Sequence, residues 1–203
     1  MSGALPGDGA CELPDRRPGD RFVVLVRHGE AAAGWDGDVD PGLSDLGRSQ
    51  AAHVAADLAG LAGTPIMVSP LRRTRETAAP IAEALGVVPT IDRAVGEVVA
   101  PAEHASLPAR GPWLRGFMAG AWTGAHPDLV TWRDGVLGAL RALRGDAVVV
   151  THFIAINAAV GGALGDDRVV SFRPANCSRT ILRIGDDGLH VVRLGDEADT
   201  EVR

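Results

Sequence analysis

The chain has 203 residues, of which 46% are hydrophobic and 23% charged, a composition typical of a globular protein with one well-filled domain. Its formal net charge is −6, so we expect no surface-wide attraction for nucleic acid or for an anionic membrane. The chain has no lysine, and all of its Lys+Arg residues are arginines. The absence of lysine excludes a Walker-type phosphate loop, and no apolar run reaches the length of a membrane span.

The first twenty residues combine glycine, proline and charged residues, without the apolar segment of a signal peptide. We interpret residues 1–20 as a disordered tail and residues 21–203 as a single domain, and we expect a cytoplasmic location. Cys11 and Cys177 provide neither a disulfide framework nor a CxxC metal spacing.

Strands and helices alternate along the predicted domain. Strands are predicted at 23–26, 65–68, 90–91, 147–151, 178–184 and 189–194, and helices from the N-cap Ser44 to near Gly60 or Gly63, at 71–85, at 127–143 and from His152 to Leu164. The last two strands form a hairpin around Asp186-Asp187-Gly188. This order predicts an α/β fold, a three-layer α/β/α sandwich with a mostly parallel central sheet.

One long stretch does not fit the alternation. Between Val98 and Gly124 the periodicity is weak and proline and glycine are frequent. We therefore expect an irregular excursion over the edge of the sheet.

Three predicted strands are followed by basic or imidazole side chains. Arg27 and His28 end the first apolar run, and His152 follows the run that ends at Thr151. The second strand is followed by Arg72 and Arg73 at the start of a helix. Because ligands of open α/β sheets bind beyond the carboxyl ends of the strands, these groups are expected to meet at one site.

Arginines and histidines that converge in this way are suited to bind a phosphoryl-sized anion. The arginine fork matches phosphate oxygens, and a neutral imidazole is a competent nucleophile. Phosphoryl transfer also needs a proton for the leaving oxygen. Glu97 is the best-placed carboxylic acid for that step, and Glu30 and Glu103 are weaker candidates.

Four segments resemble a known family, the histidine phosphatase superfamily, also called phosphoglycerate-mutase-like. They span residues 22–164 in the family's order and comprise Arg27-His28-Gly29-Glu30, Asp40-Pro41-Gly42-Leu43-Ser44-Asp45-Leu46-Gly47-Arg48-Ser49-Gln50-Ala51, Ser69-Pro70-Leu71-Arg72-Arg73-Thr74-Arg75-Glu76-Thr77-Ala78 and Thr151-His152. When the third segment is matched to the family's pattern, Arg73 rather than Arg72 takes the place of the family's second arginine.

The resemblance implies a phosphohistidine mechanism on a phosphoglycerate-mutase-like fold. His28 would attack phosphorus while Arg27, Arg73 and His152 hold the phosphoryl oxygens, and Glu97 would protonate the leaving alcohol and later activate water. No metal or other cofactor is implied. We expect a neutral His28 and an at least partly cationic His152, and the implied substrate is a small phosphorylated metabolite.

Four further residues are candidates for the substrate side of the pocket: Glu30, His104, Trp113 and Arg115. The alternatives are phosphoglycerate-mutase-type phosphoryl transfer, a catalytically silent phosphate-binding regulatory module, and a metallohydrolase that uses both histidines. The segment that contains Glu97 lacks the residues that typically follow this glutamate in the mutases, which favours a phosphatase over a mutase. The particular phosphate ester and the oligomeric state do not follow from the sequence.

Overall fold

A computed structural model of the protein describes residues 10–34, 38–104 and 106–198. Its strands are β1 (Arg21–Arg27), β2 (Ile66–Val68), β3 (Thr90–Ile91), β4 (Ala147–Thr151), β5 (Arg179–Gly185) and β6 (Gly188–Arg193). Its helices are α1 (Asp45–Leu58), α2 (Arg72–Leu85), α3 (Leu107–Met118), α4 (Pro127–Arg141) and α5 (Phe153–Leu164).

The six strands form one mixed sheet in the order β3-β2-β4-β1-β5-β6. The strands β3, β2, β4 and β1 run parallel, and the β5–β6 hairpin adds antiparallel strands at one edge. The predicted α/β sandwich with a mostly parallel sheet is confirmed.

Helices cover both faces of the sheet. Alternate residues of β1 point to opposite sides, as the two-residue period of a strand requires. Val24 and Val26 pack in the core that α1 and α2 share, whereas Val23 and Leu25 pack in the core beneath α4 and α5. Because β1 is buried on both faces, it reads as one continuous apolar run in the sequence.

Local signals define several element ends. The Ser44 hydroxyl accepts the Gly47 amide hydrogen and caps α1, as predicted. Gly86 ends α2 with a φ of 69°, and Gly188 turns the β5–β6 hairpin with a φ of 113°. The predicted cap at Ser44 and the predicted turn at Gly188 are confirmed.

The stretch from Val98 to Gly124 contains the helix α3, so its prediction as wholly irregular is wrong. Pro112 lies inside α3, where a proline removes an intrahelical hydrogen bond. Burial offsets that loss, because Leu114 is only 4% exposed and packs in a third apolar core with Trp122 and Phe153. Tertiary packing therefore decides the conformation of this segment against its local sequence.

Residues 10–20 of the predicted tail lie against the domain, whereas residues 1–9 lie outside the described residues. Cys11 is 4% exposed, and its amide donates to the Asp57 carbonyl at 2.8 Å. Arg16 pairs with Asp146 at 2.6 Å. Across the part of the chain that the structure describes, no helix is both long and apolar enough to traverse a bilayer.

Candidate active site

The carboxyl ends of three adjacent parallel strands meet at one edge of the sheet. Arg27 ends β1 and is followed by His28, while His152 directly follows β4. The neighbouring β2 leads through a short turn into α2, whose first turn carries Arg73. The convergence expected from the sequence thus results from the strand order, which sets β4 between β1 and β2.

Arg73 lies at the centre of the cluster. Its Nε is 3.2 Å from His28 Nε2, and its Nη2 is 3.4 Å from Glu97 Oε2 and 3.3 Å from His152 Nδ1. Arg72 is instead exposed and pairs with Glu76 at 2.6 Å. The structure therefore brings together Arg73 and the three groups that the sequence suggested as nucleophile, acid and second histidine.

The ring of His28 is held at both nitrogens, and only one of them carries a hydrogen. His28 Nδ1 lies 2.7 Å from the Gly29 carbonyl oxygen, which can only accept a hydrogen bond, so we assign the proton to Nδ1 and the lone pair to Nε2. The Asn176 amide donates to the His28 carbonyl at 2.8 Å and fixes the backbone. Burial, together with His152, Arg27 and Arg73, lowers the pKa of His28 well below the ordinary histidine value. A neutral His28 agrees with expectation.

His152 is fully buried, with Ser69 at one ring nitrogen and Glu97 and Arg73 at the other. Its Nε2 lies 2.7 Å from Ser69 Oγ and its Nδ1 lies 3.2 Å from Glu97 Oε2. A hydrogen on Nδ1 suits the carboxylate, and Ser69 then donates to Nε2. Burial lowers the pKa of His152 although Glu97 opposes the shift. Burial thus favours the neutral ring and Glu97 favours the cationic one, so the expected partial positive charge stays a prediction.

Glu97 is held as a carboxylate. Burial raises the pKa of its carboxyl group, but His152 and Arg73 outweigh that effect, so the pKa lies below the usual glutamate value. The hydrogen bond from His152 Nδ1 stabilises the carboxylate even when the ring is neutral, and a protonated ring would add its charge. With a neutral His152, the Arg73 guanidinium is the cation that keeps Glu97 ionised.

Arg27 is buried beside the cluster and incompletely paired. Its Nη1 donates to the Pro174 carbonyl at 2.8 Å, and its guanidinium lies over the Phe153 ring, 5.2 Å from the centroid. Among the described residues its buried Nε has no partner. Burial lowers the pKa of Arg27 to about 10, so it stays charged at neutral pH. An unpaired buried donor on a cation is suited to an anionic ligand.

The same cluster contains residue types that bind metals. One ligand atom each from His28, Glu97 and His152 lies within 4.8 Å of the other two. Arg73, however, approaches each of these residues to 3.4 Å or less. A divalent cation would have to displace this fixed positive charge, so the arrangement as it stands fits an anion better than a metal.

The cluster opens into a cavity of about 910 Å³. Glu30 lies on its wall and accepts the Ser44 hydroxyl at 2.8 Å. The structure does not bring His104, Trp113 or Arg115 to this wall. His104 stacks on Trp113 with centroids 6.3 Å apart, and the substrate-side role of these three residues stays a prediction.

Sequence reasoning missed several residues of the site. Ser69 directly follows β2, and its position after a predicted strand could have identified it as a site residue. Asn176 and Arg110, which also line the cavity, follow no predicted parallel strand, whereas Arg93 comes two residues after the predicted strand 90–91. Arg110 belongs to α3, which the sequence did not predict.

Residues 23–104 match the family model of the histidine phosphatase superfamily, branch 1. This part of the chain is therefore similar in sequence to the histidine phosphatase superfamily. The matched region contains Arg27, His28, Arg73 and Glu97, and the fold places His152 beside them. A search of curated protein sequences finds no match.

Solved structures of the superfamily share the fold. A mycobacterial glucosyl-3-phosphoglycerate phosphatase is 24% identical, covers 90% of this chain and 100% of its own, and superposes with a TM-score of 0.66. Phosphoserine phosphatase from Entamoeba histolytica in complex with 3-phosphoglyceric acid is 20% identical, with coverages of 87% and 97% and a TM-score of 0.68. A putative α-ribazole-5′-P phosphatase from Escherichia coli is 18% identical, with coverages of 89% and 98% and a TM-score of 0.68.

Proposed function

We propose that the protein is a metal-independent phosphomonoesterase that acts through a phosphohistidine intermediate on a small phosphorylated metabolite. The observation that carries this proposal is the orientation of His28. Its Nδ1 faces the Gly29 carbonyl at 2.7 Å, which leaves the Nε2 lone pair beside the Arg73 guanidinium at 3.2 Å. A nucleophilic nitrogen at the rim of a cationic pocket is what attack on a phosphate ester requires.

In the first step the phosphoryl oxygens are held by Arg27, Arg73 and the Nδ1–H of His152. His28 Nε2 attacks phosphorus in line with the ester oxygen, so that a P–N bond forms as the P–O bond to the alcohol breaks. The leaving oxygen keeps the electron pair of that bond and takes a proton from Glu97.

Glu97 acquires this proton when the substrate binds. In the free site His152 and the Arg73 guanidinium keep the carboxylate ionised. A bound phosphate engages that guanidinium, so the raising effect of burial on the Glu97 pKa then dominates. The proton enters with the monoanionic form of the ester.

In the second step water hydrolyses the intermediate. The Glu97 carboxylate takes a proton from the water, whose oxygen attacks phosphorus, and the P–N bond breaks with its electron pair returned to His28 Nε2. The proton on Glu97 passes to the inorganic phosphate, which leaves as the monoanion, so the Glu97 carboxylate and the neutral His28 are restored. No step requires a metal ion.

The names of the related structures support the substrate class. Two of them are phosphatases of small phosphorylated molecules, glucosyl-3-phosphoglycerate and phosphoserine. A cytoplasmic location stays a prediction.

The experiment measures phosphate release from p-nitrophenyl phosphate and follows acid-labile phosphate on the protein after rapid quenching. We expect the His28→Ala variant to lose activity by about a thousandfold or more and to form no phosphoenzyme. Arg75→Ala serves as a control, because Arg75 is exposed on the same helix as Arg73. Retained turnover in His28→Ala, or a loss of wild-type activity in EDTA, would contradict the proposal.

A further inference from the structure

The Gly29 carbonyl determines which nitrogen of His28 carries the hydrogen. Its oxygen lies 2.7 Å from His28 Nδ1 and can only accept a hydrogen bond. If this carbonyl turned away, Nδ1 would lose its acceptor and the hydrogen would be free to move to Nε2. An Nε2–H ring has no lone pair to direct at phosphorus. The direction of the Gly29 carbonyl is therefore a condition of the proposed chemistry.

The side chain of Gln50 holds the peptide unit that contains this carbonyl. The Gly29 carbonyl and the Glu30 amide belong to one planar unit, so a bond that fixes one end also sets the direction of the other. The Glu30 amide donates to Gln50 Oε1 at 2.8 Å. Gln50 lies on α1, and it thus holds the Gly29 carbonyl towards His28 from outside the loop.

Two further side chains hold the preceding peptide unit, one at each end. The His28 carbonyl accepts a hydrogen bond from Asn176 Nδ2 at 2.8 Å, and the Gly29 amide donates to Thr77 Oγ1 at 3.0 Å. Thr77 is fully buried, and its hydroxyl donates to the Arg73 carbonyl at 2.7 Å. Its oxygen is therefore left to accept the Gly29 amide hydrogen.

Backbone groups hold the peptide unit before that one. The Cys177 amide donates to the Arg27 carbonyl at 3.0 Å, and the His28 amide donates to the Thr151 carbonyl at 3.0 Å. The strand β1 ends at Arg27, so the hydrogen bonds of the sheet do not reach the two units that flank Gly29. At these two units side chains from distant parts of the chain replace the sheet.

We propose that three side chains act as positioning residues that keep His28 in the Nδ1–H tautomer: Gln50, Thr77 and Asn176. Gln50 acts most directly, because it bonds the same peptide unit as the Gly29 carbonyl. The catalytic consequence of this inference rests on the proposed phosphatase function, whereas the tautomer itself can be measured independently of activity.

The kinetic test removes the acceptor atoms and retains the bulk of the side chains. Gln50→Met and Thr77→Val should each lower kcat/KM for p-nitrophenyl phosphate by about 10- to 100-fold and slow phosphoenzyme formation, because fewer rings present a lone pair to phosphorus. The Kd of inorganic phosphate should change less than about threefold, since Arg27 and Arg73 remain in place. Thr77→Ser retains the hydroxyl and should stay within about threefold of the wild type.

The tautomer is measured by two-bond ¹H–¹⁵N spectra of the imidazole rings, which distinguish the nitrogen that carries hydrogen from the one that does not. The spectrum of His28→Ala identifies the signals of His28. We expect Nδ1–H alone in the wild type and a mixture with Nε2–H in Gln50→Met, Thr77→Val and Asn176→Leu.

Two variants are matched controls. Ser49→Met changes the exposed neighbour of Gln50 on α1. Thr180→Val removes a buried hydroxyl of β5 that likewise accepts a backbone amide, that of Gly195 at 3.1 Å. Both controls should retain the wild-type tautomer and turnover.

If Thr77→Val does not fold, Gln50→Met decides the question, because its side chain is only half-buried. An unchanged Nδ1–H tautomer in Gln50→Met and Asn176→Leu would overturn the positioning role, whatever the activity of these variants. Losses of equal size in Thr180→Val would overturn it as well. A wild-type protein that has this tautomer but forms no phosphoenzyme would overturn the proposed function alone.

Discussion

At the scale of single residues, the Arg73 guanidinium balances the charges of the site. It contacts His28, Glu97 and His152 at 3.2 to 3.4 Å, and these three residues are otherwise a set that metals favour. The positive charge at the centre of these three residues is therefore that of a protein side chain. The positive charge of Arg73 repels a divalent cation, and the same charge attracts a phosphate.

We expect Arg73→Ala to lose most of its phosphatase activity and to gain affinity for Zn²⁺, because the three ligand atoms then face an open space. Roughly one Zn²⁺ per chain should bind to the variant, measured by isothermal titration with elemental analysis, and none to the wild type or to Arg75→Ala. Stoichiometric Zn²⁺ binding by the wild type would show that Arg73 does not exclude metal.

The protonation of His28 sets the acidic limit of activity. Burial and three positively charged or titratable neighbours lower its pKa, so the neutral nucleophile persists at pH values below the ordinary histidine range. The acid limb of kcat/KM for p-nitrophenyl phosphate should therefore lie well below pH 6.5 and should move upward in Arg73→Gln, which lacks one of the repelling charges. A wild-type limb near pH 6.5 would contradict this assignment.

At the scale of elements, the start of α1 positions the loop that carries His28. The Ser44 amide donates to the Glu30 carbonyl at 2.9 Å, and α1 approaches the loop at Gly47. A Cβ atom on Gly47 would overlap the Glu30 carbonyl oxygen, and a Cβ on Gly29 would overlap the Gly47 carbonyl oxygen. Both glycines are required for this close approach.

We expect Gly47→Ala to lower the free energy of unfolding by about 1–3 kcal/mol and to reduce kcat, because the added methyl group displaces the His28 loop. Thermal melting and turnover of p-nitrophenyl phosphate measure the two effects. Gly60→Ala is the matched control, since nothing lies within 4 Å of its added Cβ. Identical behaviour of the two variants would show that the contact is not required.

At the scale of the whole molecule, some of residues 10–20 contact the domain that the sequence analysis bounded at residue 21. Cys11 joins the core beneath α1 and α2, and Asp146 accepts hydrogen bonds from both Arg16 and the Phe22 amide. These contacts lie away from the catalytic cluster. They are expected to contribute to stability and not to catalysis.

Removal of residues 1–18 should lower the free energy of unfolding by about 1–2 kcal/mol, since the truncation exposes core surface that Cys11 covers and removes the Arg16–Asp146 pair. Urea denaturation measures this change, and kcat/KM for p-nitrophenyl phosphate should stay within about twofold of the full chain. An unchanged unfolding midpoint would instead favour a tail without contacts.

Elements with strong local signals were predictable from the sequence alone. The cap at Ser44, the glycine at 86 and the turn at Gly188 act through the backbone of a few neighbouring residues, so their effect is visible in a short window. The helix α3 was not predictable, because Pro112 weakens its local signal and the burial of Leu114 against distant residues stabilises it.

The same distinction between local signals and tertiary contacts applies to the candidate site. By itself, the sequence determined which residues end the buried strands, and hence that Arg27, His28 and His152 lie at a sheet edge. The tertiary structure alone decided that burial lowers the pKa of His152, that Ser69 and Glu97 hold its ring, and that Arg110 reaches the cavity wall. Protonation and pairing depend on burial and on atoms far apart in the chain, and no local pattern of residues encodes those distances.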